Sequence, residues 1–212
     1  MDRLSQATIR ATDIMNKLYA AGWNKLDSYS IESLDLPEGI CYANGASRFV
    51  VWDDNNPDYV IKIGIREEDD KYSRREVELY QAATEAGVES QFGWCAYVGD
   101  YCGREIYAME FLESSSVYNE DKSYEWGLKK YCSDNDLDSN SSEVLEAYHD
   151  YYWDKMYDSE MILEWFESNL TISEMRKFDA FVCEHNITDI HAANIGYRDE
   201  KLVILDYAGW GW

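Results

Sequence analysis

The sequence predicts an α+β fold of two lobes, with a strand-rich first lobe, a mostly helical second lobe and an extra N-terminal helix. Short apolar runs between turn residues predict strands from residue 38 to residue 112. Apolar residues at helical spacing dominate from residue 142 to residue 182. We therefore divide the chain into a helical extension (1–28), a first lobe (29–112) and a second lobe (113–212).

Composition limits the partners and the compartment. The chain has 42 acidic and 19 basic residues, a formal net charge of -23. Such a surface repels phosphate backbones, so we expect no direct nucleic-acid binding and instead a basic protein partner. The five cysteines are odd in number and lack a CxxC pair, which favours a reducing compartment. With no signal-like start and no apolar run of membrane length, we expect a cytoplasmic protein without membrane contact, in the host cytoplasm if it is viral.

Two hairpins are predicted in the first lobe. Phe49–Trp52 and Tyr59–Ile63 flank one polar turn, and the runs 94–98 and 105–109 flank another. The small-residue segment Tyr42–Ser47 predicts a turn before the first hairpin. Lys62 stands between apolar neighbours in the second run. A strand lysine is usually a surface residue, and this apolar context favours a functional one.

Helices are predicted by apolar periodicity and by capping residues. Residues 5–21 form an amphipathic pattern with Ser5 as N-cap. A second helix is predicted around 74–83 and a long helical stretch at 142–167. The sequence Thr171-Ile172-Ser173-Glu174 is a capping box that predicts the start of another helix.

The C-terminal stretch carries the most informative side chains. Segment 188–196 predicts a loop with Asp189 and Asn194 five positions apart. A hairpin with the polar turn 198–201 follows, and its second strand ends at Asp206. The hairpin brings three oxygen-bearing side chains to one end, which suits Mg²⁺ with phosphate oxygens as further ligands. The alternative is a hairpin with ordinary Asp and Asn turn residues.

This spacing resembles the H-R-D-x-x-x-x-N and D-F-G motifs of protein kinases. Asp189 falls on the catalytic Asp, Asn194 on the metal-binding Asn, and Asp206-Tyr207-Ala208-Gly209 near D-F-G. The H-R positions hold Ile187 and Thr188, so that half of the motif is missing. Asp-Ile-His-Ala-Ala-Asn, with His191 two residues after the Asp, is similar to loops of aminoglycoside phosphotransferases and of short bacteriophage kinases.

The resemblance extends into the first lobe in kinase order. Val60-Ile61-Lys62 resembles the end of V-A-I-K, and Glu76 resembles the helix glutamate that pairs with that lysine. The helical pattern around Glu76 predicts Val77 and Tyr80 on the packed side. One glycine, in Gly45-Ala46-Ser47, stands where the family has three, and Met109-Glu110-Phe111-Leu112 resembles the hinge.

The resemblance implies a protein-kinase-like fold that uses ATP and Mg²⁺. Lys62 would touch the α/β-phosphates, Asn194 and Asp206 would hold the metal, Asp189 would act as base and His191 would assist. The implied nucleotide contacts are Gly45, Ala46, Ser47, Lys62, Met109, Glu110 and Leu112. The sequence stops three residues after Gly209. We therefore expect a truncated C-lobe without the activation segment and the helices that normally dock a peptide.

Three functions are consistent with these features. The first is an ATP-dependent phosphotransferase, a compact serine/threonine kinase of bacteriophage type acting on a host protein. The second is an acidic binding protein of kinase fold, either a pseudokinase or a nucleic-acid mimic. The third is a small-molecule kinase of the aminoglycoside type. Retention of Lys62, Glu76, Asp189, Asn194 and Asp206 favours the first over the second, and the missing C-terminal helices argue against the third.

Overall fold

The computed structural model describes residues 1–23, 35–45, 47–101, 103–114, 120–155, 159–199 and 201–208. The chain divides into two compact units, Met1–Ala82 with Gly93–Phe111 and Ala83–Phe92 with Leu112–Trp212. The predicted α+β fold is confirmed, since the first unit is built on an antiparallel sheet and the second on helices with a small sheet. Within the described ranges, no helix has the length and apolarity needed to cross a membrane.

The first unit is organised by a five-stranded antiparallel sheet with strand order β1-β2-β3-β5-β4. Its strands are β1 Ile40–Asn44, β2 Arg48–Asp53, β3 Tyr59–Gly64, β4 Cys95–Tyr101 and β5 Arg104–Glu110. The predicted turn at 42–47 is too long, because Tyr42 pairs with Val51 and Asn44 with Phe49 in the β1–β2 ladder. Lys62 lies opposite Val50 on one side and Tyr107 on the other, well inside the sheet.

Helix α1, Arg3–Ala20, starts earlier than the sequence predicts. Its N-cap is Asp2, whose carboxylate accepts from the Ser5 amide at 2.9 Å, so the prediction of Ser5 as N-cap is wrong. Asp caps a helix as well as Ser does, and here it also receives the Ser5 hydroxyl. The apolar face of α1 joins the core of the sheet. Its buried members are Ala7, Ala11, Ile14, Met15 and Leu18.

Two ion pairs attach α1 to the edges of the same unit. Lys17 Nζ lies 2.7 Å from an Asp53 carboxylate oxygen, and this contact lowers the pKa of Asp53. Arg3 Nη2 lies 2.6 Å from Glu110 Oε2, and the Arg3 guanidinium stands 4.7 Å from the centre of the Trp94 ring. The N-terminal helix is therefore an integral part of the first unit.

Helix α2, Asp70–Ala86, carries a glutamate on its buried face. Ser73, Glu76 and Leu79 are buried at helical spacing, whereas Val77 and Tyr80 are only half-buried. The buried face of α2 therefore lies about one position before the face that the sequence predicts, so that prediction is wrong. The apolar pattern misled because a buried carboxylate takes the place of an apolar residue on that face.

The second unit consists of helices and a three-stranded sheet of order β6-β7-β8. Its elements are α3 Glu120–Asn135, α4 Ser142–Lys155, α5 Ser159–Glu167, α6 Ile172–Glu184, β6 Glu113–Ser114, β7 Ile195–Arg198 and β8 Lys201–Ile204. The Thr171 capping box of α6 is confirmed, with the Thr171 hydroxyl and the Glu174 carboxylate each bonding the other's amide. The predicted helical stretch at 142–167 contains two helices, α4 and α5.

Phe92 is the centre of the core that supports the C-terminal hairpin. It is fully buried, and its ring lies 5.1 to 5.9 Å from the rings of Tyr207, Phe181 and Phe178. Its backbone forms a parallel bridge with Ile204 of β8. Arg198 Nη2 also donates to the Phe92 carbonyl at 2.9 Å. These contacts fix the segment that leads from β8 into Asp206 and Tyr207.

A pair of carboxyl groups joins α5 to α6 and makes stability depend on pH. Burial, a hydrogen bond to Asp179 and the charge of Asp179 raise the pKa of Glu167 to about 7. Because the folded state holds this proton more tightly than the unfolded chain, stability should fall as pH rises from about 4.5 to 7. Glu167→Gln should therefore match the wild type at pH 5 and exceed it at pH 8 by about 1 kcal/mol, since partial exposure weakens the effect.

Urea denaturation at pH 5 and pH 8 measures this difference. Glu184→Gln is the matched control, because Glu184 is an exposed carboxylate at the end of α6. If Glu167→Gln loses as much stability between pH 5 and pH 8 as the wild type does, the titration of Glu167 is not the cause of the pH dependence.

Candidate active site

Lys62 of β3 and Glu76 of α2 form a buried ion pair. Lys62 Nζ lies 2.9 Å from Glu76 Oε1 and 3.1 Å from Oε2, and the two side chains are 7% and 1% exposed. These are the two residues that the sequence predicts as partners. The alternative for the lysine, a solvated surface residue, does not describe Lys62 in this structure.

Arg48 shares the same carboxylate, and sequence reasoning missed it. Its Nη1 lies 2.9 Å from Glu76 Oε1, and its side chain is 7% exposed. Arg48 opens β2 immediately after Ser47, and its carbonyl accepts from the Gly45 amide. An arginine between a turn and an apolar strand only weakly indicates a buried site residue, because most arginines in such positions are solvated.

The two described residues of the predicted phosphate-binding turn, Gly45 and Ser47, are held by backbone hydrogen bonds. The Gly45 amide donates to the Arg48 carbonyl at 2.8 Å, so that amide is not directed at a ligand. A Cβ at position 45 would stand 3.2 Å from the same carbonyl, closer than most side chains approach. Ser47 is buried and its carbonyl accepts from the Ile65 amide at 2.8 Å. Ala46 lies outside the described residues.

The hinge-like segment has few free amides. Met109 is buried within β5, where it pairs with Val60 and Cys95. The Glu110 amide donates to the Trp94 carbonyl at 3.0 Å, so it is not free for an adenine edge. The Leu112 amide donates to no atom of the described residues, which leaves it available for the predicted base contact.

In the second unit, the Asn194 side chain ties the loop to the end of the hairpin. Its Nδ2 donates to the Asp189 carbonyl at 2.9 Å and to the Asp206 carbonyl at 3.3 Å. Its backbone amide donates to the His191 carbonyl at 2.9 Å, and its carbonyl accepts from Leu205 at 2.8 Å. Asn194 thus brings together the three positions that the sequence singled out, and its Oδ1 remains as the possible metal-binding oxygen.

Burial and two charged neighbours act on the Asp189 carboxyl group. Burial raises its pKa, the charge of Asp206 raises it further, and His191 opposes both. His191 Nε2 lies 3.4 Å from Asp189 Oδ1, and the two side chains are 23% and 25% exposed. The Asp189 carboxylate is thus partly desolvated but still accessible. His191 is placed to orient it.

The donor set fits a magnesium ion. The Asp206 carboxylate and Asn194 Oδ1 are hard oxygen ligands, and the mutual repulsion of Asp189 and Asp206 would be relieved by a divalent cation. In the part of the chain that the structure describes, no cluster of three or more His, Cys, Asp or Glu side chains could hold a metal. A site with few protein ligands suits Mg²⁺, which keeps waters and takes phosphate oxygens.

A separate cavity of about 410 Å³ lies elsewhere in the second unit. It is bounded by the turn before β4, the α5–α6 connection and β8, and includes Gln91, Leu170 and Lys201. None of Asp189, Asn194 and Asp206 lines it. The chemistry-bearing side chains and this cavity are therefore different features of the unit.

No protein-family model matches the sequence, and no curated protein matches it either. A solved structure of an aminoglycoside phosphotransferase in a ternary complex with streptomycin and ATP is similar over 80% of this chain and 66% of that chain, slightly less than two thirds of its length. The sequence identity is 16% and the TM-score 0.37, too low to assign a function.

Proposed function

We propose that this protein is an ATP-dependent phosphotransferase. The observation that supports it most is the buried Lys62–Glu76 pair, with 2.9 Å between Nζ and Oε1. A buried ion pair is expensive to form, so its presence in a strand and a helix favours a functional use of the ammonium. In the kinases that this chain resembles, the corresponding lysine contacts the α/β-phosphates of ATP, and the glutamate orients that lysine.

The second unit would supply the groups for transfer. Asn194 and Asp206 would hold Mg²⁺, which neutralises phosphate charge when bound. An acceptor hydroxyl attacks the γ-phosphorus, the new P–O bond forms as the bond to the β-phosphate oxygen breaks, and ADP leaves. Asp189 orients the hydroxyl and takes its proton, a task favoured by its raised pKa. His191 braces the Asp189 carboxylate through their 3.4 Å contact.

The acceptor that we propose is a serine or threonine of a basic protein. The net charge of -23 supports this choice, because a strongly acidic surface attracts cationic partners and repels nucleic acids. Electrostatic attraction acts on such a partner over about one Debye length, roughly 10 Å at 0.1 M salt, and so speeds association. The kinase-like order of Lys62, Glu76, Asp189, Asn194 and Asp206 along the chain supports transfer rather than binding alone.

Binding of ATP is the first consequence to test. ATP with Mg²⁺ at a hundredfold excess over Kd should raise the free energy of unfolding by about 2.7 kcal/mol, seen as a thermal shift. Asp206→Ala should reduce the shift, because it removes a charged metal ligand. Asp150→Ala, at an exposed position on α4, is the control and should shift as the wild type does. Absence of any shift at millimolar ATP with Mg²⁺ would refute the proposed function.

A further inference from the structure

The cavity in the second unit has the size of a small-molecule site. Its volume is about 410 Å³, and ligand pockets commonly occupy roughly 300–1,000 Å³. Gln91, Phe166 and Leu202 are buried residues of its lining and form the inner wall. Glu174 and Lys201 are exposed residues of the lining and lie at the mouth. The cavity therefore combines a largely apolar interior with charged groups at its entrance.

Gln91 places a polar group in the inner wall. The residue is 6% exposed, and within the described part of the chain neither Oε1 nor the amide nitrogen of its side chain forms a hydrogen bond. A buried carboxamide normally has partners, because an unpaired one loses the hydrogen bonds that water would give it. The last torsion of a glutamine side chain is soft, so either end of the carboxamide can turn toward the cavity. The wall thus offers a ligand one donor and one acceptor.

Lys201 places a positive charge at the mouth. Among the described residues, no carboxylate lies within ion-pair distance of its ammonium group. Hydrogen bonds from Thr171 lower the pKa of Glu174, and the nearby charge of Lys201 lowers it further. Glu174 Oε2 already accepts from the Thr171 amide at 2.9 Å and from its hydroxyl at 2.6 Å. The charged group at the mouth that a ligand can pair with is therefore the ammonium, and the complementary ligand group is an anion.

We propose that this cavity binds a small carboxylic acid that has an apolar body and carries a hydroxyl or amide group. The carboxylate pairs with Lys201 at the mouth, and the hydroxyl or amide group hydrogen-bonds to the Gln91 side chain. The apolar body packs against Phe166 and Leu202. The inference does not rest on the proposed phosphotransfer, because the cavity shares no lining residue with the candidate active site.

An NMR titration with three matched probes separates these contributions. 4-Hydroxyphenylacetate has all three features, phenylacetate lacks the hydroxyl, and 4-hydroxyphenylacetamide lacks the charge. A ligand with about eleven non-hydrogen atoms should bind with a Kd in the low millimolar range. Loss of the hydroxyl should weaken binding by about 2–10-fold, the worth of one hydrogen bond. Loss of the charge should weaken it by about 2–5-fold, as expected for an exposed ion pair.

Four variants assign these effects to residues. Gln91→Leu should bind 4-hydroxyphenylacetate and phenylacetate equally, and without ligand it should resist urea at least as well as the wild type, because an unpaired polar group has become apolar. Lys201→Gln should bind 4-hydroxyphenylacetate and 4-hydroxyphenylacetamide equally. Leu170→Trp should fill the cavity and abolish binding of all three probes. The control is Lys177→Gln, at an exposed position of α6 outside the cavity, which should bind as the wild type does.

Each outcome supports or overturns the proposal. A wild type that does not bind 4-hydroxyphenylacetate at about 20 mM overturns it, since that concentration exceeds the expected Kd several-fold. Binding that persists in Leu170→Trp also overturns it, because the ligand then lies elsewhere. A preference for the hydroxyl that persists in Gln91→Leu, or for the charge in Lys201→Gln, does the same. If Gln91→Leu does not fold, as judged by circular dichroism, the wild-type protein decides, and equal affinities for 4-hydroxyphenylacetate and phenylacetate overturn the proposal.

Discussion

Asp189→Asn is expected to lose phosphoryl transfer by about 10²–10⁴-fold, the usual contribution of a positioned base. The amide keeps the size of the carboxylate and part of its hydrogen bonding but cannot take the acceptor proton. Asn194 bonds the Asp189 backbone carbonyl and not its side chain, so the loop should keep its shape. ATP binding should therefore survive. Labelled ATP, Mg²⁺ and a bacterial lysate give the transfer rate, and thermal shift gives the nucleotide affinity.

The control for this experiment is Asp150→Asn, which makes the same chemical change at an exposed position of α4. It should transfer phosphate as the wild type does. Transfer by Asp189→Asn at the wild-type rate would mean that the loop does not supply the base. Loss of ATP binding together with transfer would instead mean that Asp189 acts on the metal or on the fold of the loop.

Phe92→Ala is expected to destabilise the second unit by about 3–5 kcal/mol, as removal of a fully buried aromatic ring does. Phe92 is 0% exposed and contacts the rings of Phe178, Phe181 and Tyr207. A domain has only about 5–15 kcal/mol of stability in total, so this loss removes a large fraction of it. Because Tyr207 follows Asp206, any remaining folded protein should also bind ATP–Mg²⁺ less tightly. Urea denaturation gives the free energy of unfolding.

Two controls separate packing from a general sensitivity to mutation. Phe92→Leu keeps much of the buried volume and should cost clearly less than Phe92→Ala. Ile172→Ala removes an apolar side chain that is 68% exposed and should change stability by no more than about 0.5 kcal/mol. A Phe92→Ala protein as stable as the Ile172→Ala protein would contradict the role given to this core.

Much of the fold follows from local sequence signals. The Thr171–Glu174 capping box and the hairpin of β7 and β8 form as predicted, because their hydrogen bonds join residues close in the chain. The packed face of α2 is predicted less well, because a distant partner decides it: Glu76 is buried there through its contacts with Lys62 and Arg48. Periodicity records which residues are apolar but not which polar residues a partner will bury.

The same limit applies to the candidate site. Lys62 and Glu76 could be predicted as a pair because the order of elements resembles kinases and their contexts match the family's. Arg48 could not be predicted, since only the structure shows that its guanidinium reaches Glu76 Oε1. The hydrogen bonds of Asn194 to two carbonyls were also invisible, because backbone acceptors leave no mark in the sequence.

The docking of α1 has a consequence for the way this chain is made. The helix is synthesised well before the sheet against which it packs is complete, because that sheet ends at Glu110 and the Arg3–Glu110 ion pair joins residues 107 positions apart. Until β5 has been synthesised, the apolar face of α1 lacks its final cover. The nascent chain therefore carries an exposed amphipathic helix while the roughly hundred residues between α1 and the end of β5 are made, a period in which chaperones or premature association compete with folding.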